Sequence, residues 1–176
     1  MKAVSKTARL VAGVAVGIVA ATLLSTGTAS ATLVGNSQGC TPGFWKNHTD
    51  WTSYAVHYTP DETVAHMLKV PGVPGDYQFP AALSSFQDET MLQALQGNGG
   101  PGVTGATQIL LRAGVAAYLN ADVEILYPYR RWGTGFGGLQ PLQVLITSAL
   151  NSQDRQTMLD LATLLDNANN LGCPLS

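Results

Sequence analysis

The chain has 176 residues, 45% of them hydrophobic and only 11% charged, with nine Lys and Arg against eleven Asp and Glu. A length of this order suits a single domain with a genuine core. The slight acidity argues against nucleic acid and anionic membranes as partners, because both select a basic surface.

Lys2, Lys6 and Arg9 make a basic start, the run from Leu10 to Leu24 is almost wholly apolar, and Ala29-Ser30-Ala31 offers the small residues that a signal peptidase needs. This pattern predicts a secretory signal over residues 1–31 and a single helical domain over 32–176. The apolar run is shorter than the ~20 residues that span a bilayer. No later run reaches that length, so no stable membrane insertion is expected after cleavage. Loss of the leader's three cations leaves six Lys and Arg against eleven acids, a balance of −5. The expected location is extracellular.

Thr41-Pro42 reads as a helix cap followed by proline at the first helical position, where its missing N–H costs nothing. Phe44, His48, Trp51, Ala55 and Tyr58 recur at helical spacing, which predicts a first helix from Pro42 to about His57. Phe44 and Trp51 would be core on that face, and Trp45, about 100° away around the helix, would be a surface aromatic. Thr59-Pro60-Asp61-Glu62 combines cap, proline and first-turn acids, and predicts a short helix to Lys69 that buries Val64, Met67 and Leu68. Pro71-Gly72-Val73-Pro74-Gly75 ends it and opens an irregular connection through Phe79-Pro80.

Asp88-Glu89 reads as the acidic first turn of a helix through Leu95, and Gly97 to Gly102 forms a breaker loop. Thr104 to Asn120 is apolar on nearly every side, with Arg112 the main exception, so this helix is expected at the centre. Asp122 to Gly138 mixes aromatics, arginines, prolines and glycines and is expected as a long loop. Pro141 opens a helix carrying Leu142, Leu145, Ile146, Ala149 and Leu150. Ser152 is expected to cap another with Met158, Leu161, Ala162, Leu165 and Ala168 on one face. Asn169 to Gly172 stops it before Cys173.

Strand-like alternation is absent from the sequence. The expected fold is therefore all-α, an irregular bundle of five or six helices with long Gly/Pro-rich connections. Cys40 and Cys173 are the only cysteines. In an oxidising compartment two such thiols pair, tying the two ends of the domain together. Zinc binding by the pair is the alternative, and it lacks a CxxC spacing.

The string Cys40-Thr41-Pro42-Gly43-Phe44-Trp45-Lys46-Asn47-His48 resembles the CTPG[FY]WKNH-type signature of secreted and cell-surface bacterial proteins, some of which carry it beside adhesin-like modules. The closing run from Leu165 to Pro174, with its NNxGCP-type end, resembles the matching C-terminus of that group. The resemblance covers about a fifth of the mature chain. It implies secretion and a Cys40 to Cys173 link, and it carries over no catalytic residues.

For function, Trp45, Tyr54, Tyr127, Tyr129 and Trp132 offer flat faces for sugar rings, with Asn47, Arg130 and Arg131 as hydrogen-bond donors. The competing reading makes the same aromatics core with a tyrosine-rich rim. The leading set is Trp45, Tyr129, Arg130, Arg131 and Trp132, a non-catalytic surface for extracellular glycan or protein. His48, His57 and His66 are spaced by nine residues, and each such step turns a helix by about 180°. No metal site and no cofactor are therefore expected, although Pro60 permits a bend that returns His66 toward His48.

The pairs Asp61-Glu62 and Asp88-Glu89 are explained as first-turn acids. Asp122 and Glu124 near Arg130 and Arg131, or a His48/His66 metal centre, carry the alternative of a secreted hydrolase. Gly133-Thr134-Gly135-Phe136-Gly137-Gly138 lacks the Lys-Ser/Thr of a phosphate loop, and no GxSxG nucleophile motif occurs. A polymerising structural subunit is a third possibility, suggested by the low charge and alanine-rich helices.

Overall fold

The computed structural model describes residues 36–123 and 125–175. The secretory signal expected over 1–31 and the acid Glu124 lie outside the described residues. Six α-helices form the body: α1 (Pro42–Asn47), α2 (Val64–Met67), α3 (Met91–Gln96), α4 (Gly102–Asp122), α5 (Leu142–Ser152) and α6 (Arg155–Asn169). Three 3-10 turns, Trp51–Tyr54, Ala81–Phe86 and Phe136–Gly138, sit in the connections. The all-α expectation holds. Its only extended pairings among the described residues are two isolated antiparallel bridges, Gly39 with Gly172 and Thr63 with Thr90.

Helix α4 is the axis. Leu110, Leu111, Val115, Ala116, Tyr118 and Leu119 along it are inaccessible to solvent, and so are its Thr107 and Asn120. Its most extensive partner is α6, followed by α3, with α1 and α5 completing the wrap. Close approach depends on missing side chains: a Cβ on Gly114 would come within 2.9 Å of Ile146 Cδ1 on α5, and one on Gly105 would strike the carbonyl of Gly100. Alanine at Gly105 would force backbone apart, which tight interiors resist.

The expected first helix is shorter than its periodicity suggested. Thr41 caps α1 through a 3.1 Å bond from the Phe44 N–H, but His48 takes φ −115°, ψ 75° and the helix stops. The chain turns back so that the Trp51 indole N–H donates to the carbonyl of Trp45 at 3.1 Å. Side-chain bonding to an orphan helix carbonyl thus replaces further helical turns. Trp51 is core as expected. Trp45, expected at the surface, is fully buried, and Phe44 is only half-buried.

The second and third helices begin later than their acids. Thr63, not Thr59, caps α2, and Glu62 turns back to accept from the Thr59 N–H at 3.1 Å. Thr90 caps α3 in a reciprocal box with Gln93, so Asp88 and Glu89 precede the helix rather than open it. The two cap segments also pair with each other, Val64 N–H to Glu89 O and Met91 N–H to Glu62 O, both at 2.8 Å. Two short helices are thereby started by one shared backbone bridge. Asp154 rather than Ser152 caps α6, accepting from Thr157 N–H at 2.8 Å.

The ends meet as expected. Cys40 and Cys173 form a disulfide, and beside it the Gly39 N–H donates to Gly172 O at 3.1 Å. Below them lies a buried amide network. Asn120 Oδ1 accepts from Cys40 N–H at 2.9 Å and from the Trp45 indole at 3.1 Å. Its Nδ2 donates to Cys40 O at 2.8 Å and to Asn169 Oδ1 at 3.0 Å. Asn169 in turn accepts from the Tyr127 hydroxyl at 2.8 Å and donates to Ala113 O at 3.0 Å. Every member has its partners, which is the condition for a buried polar network to stabilise rather than weaken a core.

Candidate functional site: the aromatic loop after helix α4

The loop expected from Asp122 to Gly138 begins only after Asp122, the last residue of α4, includes the 3-10 turn Phe136–Gly138, and is fastened along its described residues. Tyr127 is buried with its hydroxyl on Asn169, and Pro128 and Tyr129 are buried beside it. Gln38 bonds both polar groups of the Leu126 backbone, its N–H to the carbonyl at 2.9 Å and its side chain to the N–H at 3.3 Å. Phe136 N–H reaches Pro128 O at 3.1 Å, folding the glycine-rich part back onto the aromatic part. The carbonyls of Arg130 and Arg131 accept from Leu142 and Gln143 at the start of α5, donors a helix cannot satisfy itself. A Cβ on Gly135 would lie 2.7 Å from Pro128 O, so the fold-back requires glycine there.

Charge at the base of the loop is organised by Asp122. Its carboxylate is shielded from solvent, accepts two hydrogen bonds from His57, from its N–H at 2.6 Å and its Nδ1–H at 3.1 Å, and forms an ion pair with Arg131 at 2.6 Å. The Arg131 guanidinium lies over the Trp132 ring at 4.6 Å and the Tyr58 ring at 5.6 Å. A cation against two aromatic faces and one carboxylate is held in a single pose. Burial pushes the Tyr58 hydroxyl above its ordinary range, and the neighbouring Arg131 cation pulls the other way. Burial likewise raises Tyr118, whose hydroxyl has no hydrogen-bond partner among the described residues. Arg130 lies over Phe136 at 5.5 Å.

The surface that results is apolar and flanked by cations. Leu126, Trp132 and Phe136 are 52%, 39% and 41% exposed, unusual for side chains this large. A cavity of about 310 Å³ opens between Leu126, Phe136, Asp122, Tyr129 and Arg130, a second of about 220 Å³ shares Leu126 and Phe136 with Asn36 and Ser37, and Trp132 lines neither.

Of the five residues expected to bind, Arg130, Arg131 and Trp132 meet in this loop. Trp45 and Tyr129 do not: both are buried, Trp45 because its indole N–H is needed by Asn120 and Tyr129 because it packs against Tyr127 at 5.9 Å. Tyr127 is core as well, and Tyr54 packs against Phe44 near α1, away from the loop sequence. Leu126 and Phe136 join the surface without having been singled out. Phe136 was obscured by its four neighbouring glycines and Leu126 by an apolar run indistinguishable from core.

The histidines take separate partners. His48 stacks on Phe44 at 4.3 Å and donates to its carbonyl, His57 donates to Asp122, and His66 donates to Asp76 at 3.0 Å. The Lys69 ammonium sits 3.3 Å from the remaining nitrogen of His66, where a metal ion would have to bind. Among the described residues no group of three or more His, Cys, Asp or Glu side chains is placed to hold a metal. Asp122, one of the two acids of the hydrolase reading, already accepts two hydrogen bonds from His57 and pairs with Arg131, which leaves it poorly suited to exchange protons with a substrate. No family model, no curated protein and no solved structure matches this chain.

Proposed function

We propose that this chain is an exported, non-catalytic binding domain that meets glycan or protein at the cell exterior through its aromatic loop. One observation carries the reading: Leu126, Trp132 and Phe136 stand exposed on a loop whose backbone is pinned at Leu126, Pro128, Arg130, Arg131 and Gly135. Exposed aromatics on a fixed frame bind with little loss of conformational entropy. Trp132 supplies a flat face for an apolar sugar face, Arg130 supplies donors beside it, and Arg131 holds the ring rather than the ligand. Glycan is the better match of the two partner classes, because an exposed aromatic face stands beside the exposed donors of Arg130.

Export supports the same reading. A disulfide between the chain's only cysteines suits an oxidising exterior. The resemblance of residues 40–48 to secreted and cell-surface bacterial proteins points the same way.

A glycan and envelope-polymer array probed with the parent chain and with Trp132→Ala tests the proposal. The parent is expected to bind at least one glycan, the variant to lose about tenfold or more in affinity, and the thermal midpoint to move by less than about 3 °C. A midpoint that collapses in the variant makes Trp132 a structural residue. A parent that binds no glycan, but a surface protein instead, moves the assignment to the protein class.

A further inference from the structure

The N-terminal signature contains residues that the fold does not explain. Cys40 is in the disulfide, Thr41 caps α1, Pro42 opens it and Trp45 bonds Asn120. Gly43 has no such duty, and Lys46 has only the weak one of a cation in the last turn of α1. Gly43 has ordinary helical backbone, and a Cβ built there would meet only Thr41 Oγ1, at an undemanding 3.6 Å. Packing therefore does not require glycine. Lys46 is exposed and makes no ion pair or hydrogen bond among the described residues.

Both residues line one polar cleft of about 250 Å³, on a different part of the sequence from the aromatic loop. Gln96 and Asn98 from the end of α3, Arg112 from α4 and Asp166 from α6 complete it. Arg112 is the main charged residue on the otherwise apolar α4, and its one hydrogen bond among the described residues, to Gly97 O at 3.3 Å, leaves most of its donors unused there. No ion pair joins Lys46, Arg112 and Asp166. The chain's acids outnumber its cations after residue 31, yet this cleft holds two cations and one acid that stand apart. They sit on three different helices.

We propose that this cleft binds a small zwitterion of single amino-acid size, its carboxylate against Arg112 and Lys46 and its ammonium group against Asp166. Arg112 offers the planar donor pair that matches a carboxylate, Lys46 a second positive charge, and Asp166 the acceptor for a cation. Gln96 and Asn98 supply neutral hydrogen bonds at the rim. The absent side chain of Gly43 leaves room for the ligand. A cleft below the ~300 Å³ of ordinary ligand pockets suits a molecule of this size.

The test is an NMR titration of the intact chain at pH 7 with alanine, and separately with acetate and with ethylammonium. Alanine is expected to give saturable shifts at the amides of Gly43, Gly97 and Asn98, and the two half-ligands to bind at least about tenfold more weakly. Lys46→Gln and Asp166→Asn, both at exposed positions, should each weaken alanine about tenfold while leaving the rest of the spectrum in place. Gly43→Leu should remain folded and lose binding. Three results would overturn the proposal: no saturable shift with alanine up to about 50 mM, acetate binding as well as alanine, or an Asp166→Asn variant with unchanged affinity. The second of these would mark a plain anion site.

Discussion

The side chain of Asn120 holds the backbone of Cys40 at both of its polar groups, accepting from the N–H at 2.9 Å and donating to the carbonyl at 2.8 Å. One amide thus does for the disulfide-bearing segment what a neighbouring strand would do. It also accepts from the Trp45 indole, so the start of α1, the centre of α4 and, through Asn169, the end of α6 share one buried junction. Replacing Asn120 by Ala leaves several of these groups buried without partners. Each such group costs about 1 to 3 kcal/mol, and partial relaxation keeps the total near ~3 kcal/mol. Guanidinium denaturation with the disulfide intact should show that loss. Asn120→Asp should do no better, because it removes both Nδ2 donor bonds and buries a charge.

The disulfide acts on the same junction from outside. It joins residues 133 apart in sequence, and closing a loop of that length restricts the unfolded chain by at most about 5 kcal/mol. The Cys40→Ser, Cys173→Ser double variant is expected to lose less than that maximum. Asn120 and the Gly39 to Gly172 bridge still hold both ends in the native state. Urea unfolding of the double variant should remain a single cooperative transition at lower midpoint. Two separated transitions would mean that the termini form a unit of their own.

These two features were unequally legible from sequence. Two cysteines bracketing a helical pattern announce their pairing, and apolar spacing placed α4, α5 and α6 to within a few residues. Long amphipathic or fully apolar helices impose their period on the sequence over many turns. Asn120 and Asn169 broadcast nothing of the kind: an amide in an apolar helix reads as a defect until its partners, 80 and 49 residues away, come into view. Trp45 failed for a related reason. Its angle around α1 was read from an uninterrupted helix, whereas His48 ends α1 and sends Trp51 back across it. In the candidate site, the arginines and Trp132 were visible as a cluster, while the exposure of Leu126 and Phe136 depends on a fold-back that only the Gly135 to Pro128 contact reveals.

Arg130 and Arg131, adjacent in sequence, should behave differently. Arg131 is bonded to a solvent-shielded carboxylate and covers two rings, whereas Arg130 is exposed over Phe136. Asp122→Ala would strand Arg131 and the His57 N–H, at a cost of about 2 to 4 kcal/mol. It should also weaken the binding that depends on Trp132, since the ring loses its fixed neighbour. Arg130→Ala should change stability by no more than about 0.5 kcal/mol and act on affinity alone. Paired thermal melts and array measurements on the two variants separate the roles.

Glu89 gives the fold a pH dependence whose sign can be worked out. Its Oε2 is buried without a hydrogen-bond partner among the described residues, and burial raises its carboxyl above the ordinary value of 4.5. The native state therefore keeps this proton over a range of pH in which the unfolded chain has already released it. Below the ordinary value both states are protonated and Glu89 adds its full contribution. As pH climbs from there through the raised native value, that contribution is lost, because the folded protein must then hold a charge at a half-buried site. Glu89→Gln removes the charge while keeping the size. The variant should thus melt at a higher temperature than the parent at pH 7, with the gap narrowing as pH falls to about 4. Thermal melts across pH 3 to 8 measure this directly. A gap that stays constant with pH would place the benefit in packing or hydrogen bonding instead, and a variant that melts lower at pH 7 would show that the carboxylate is paired in the native protein.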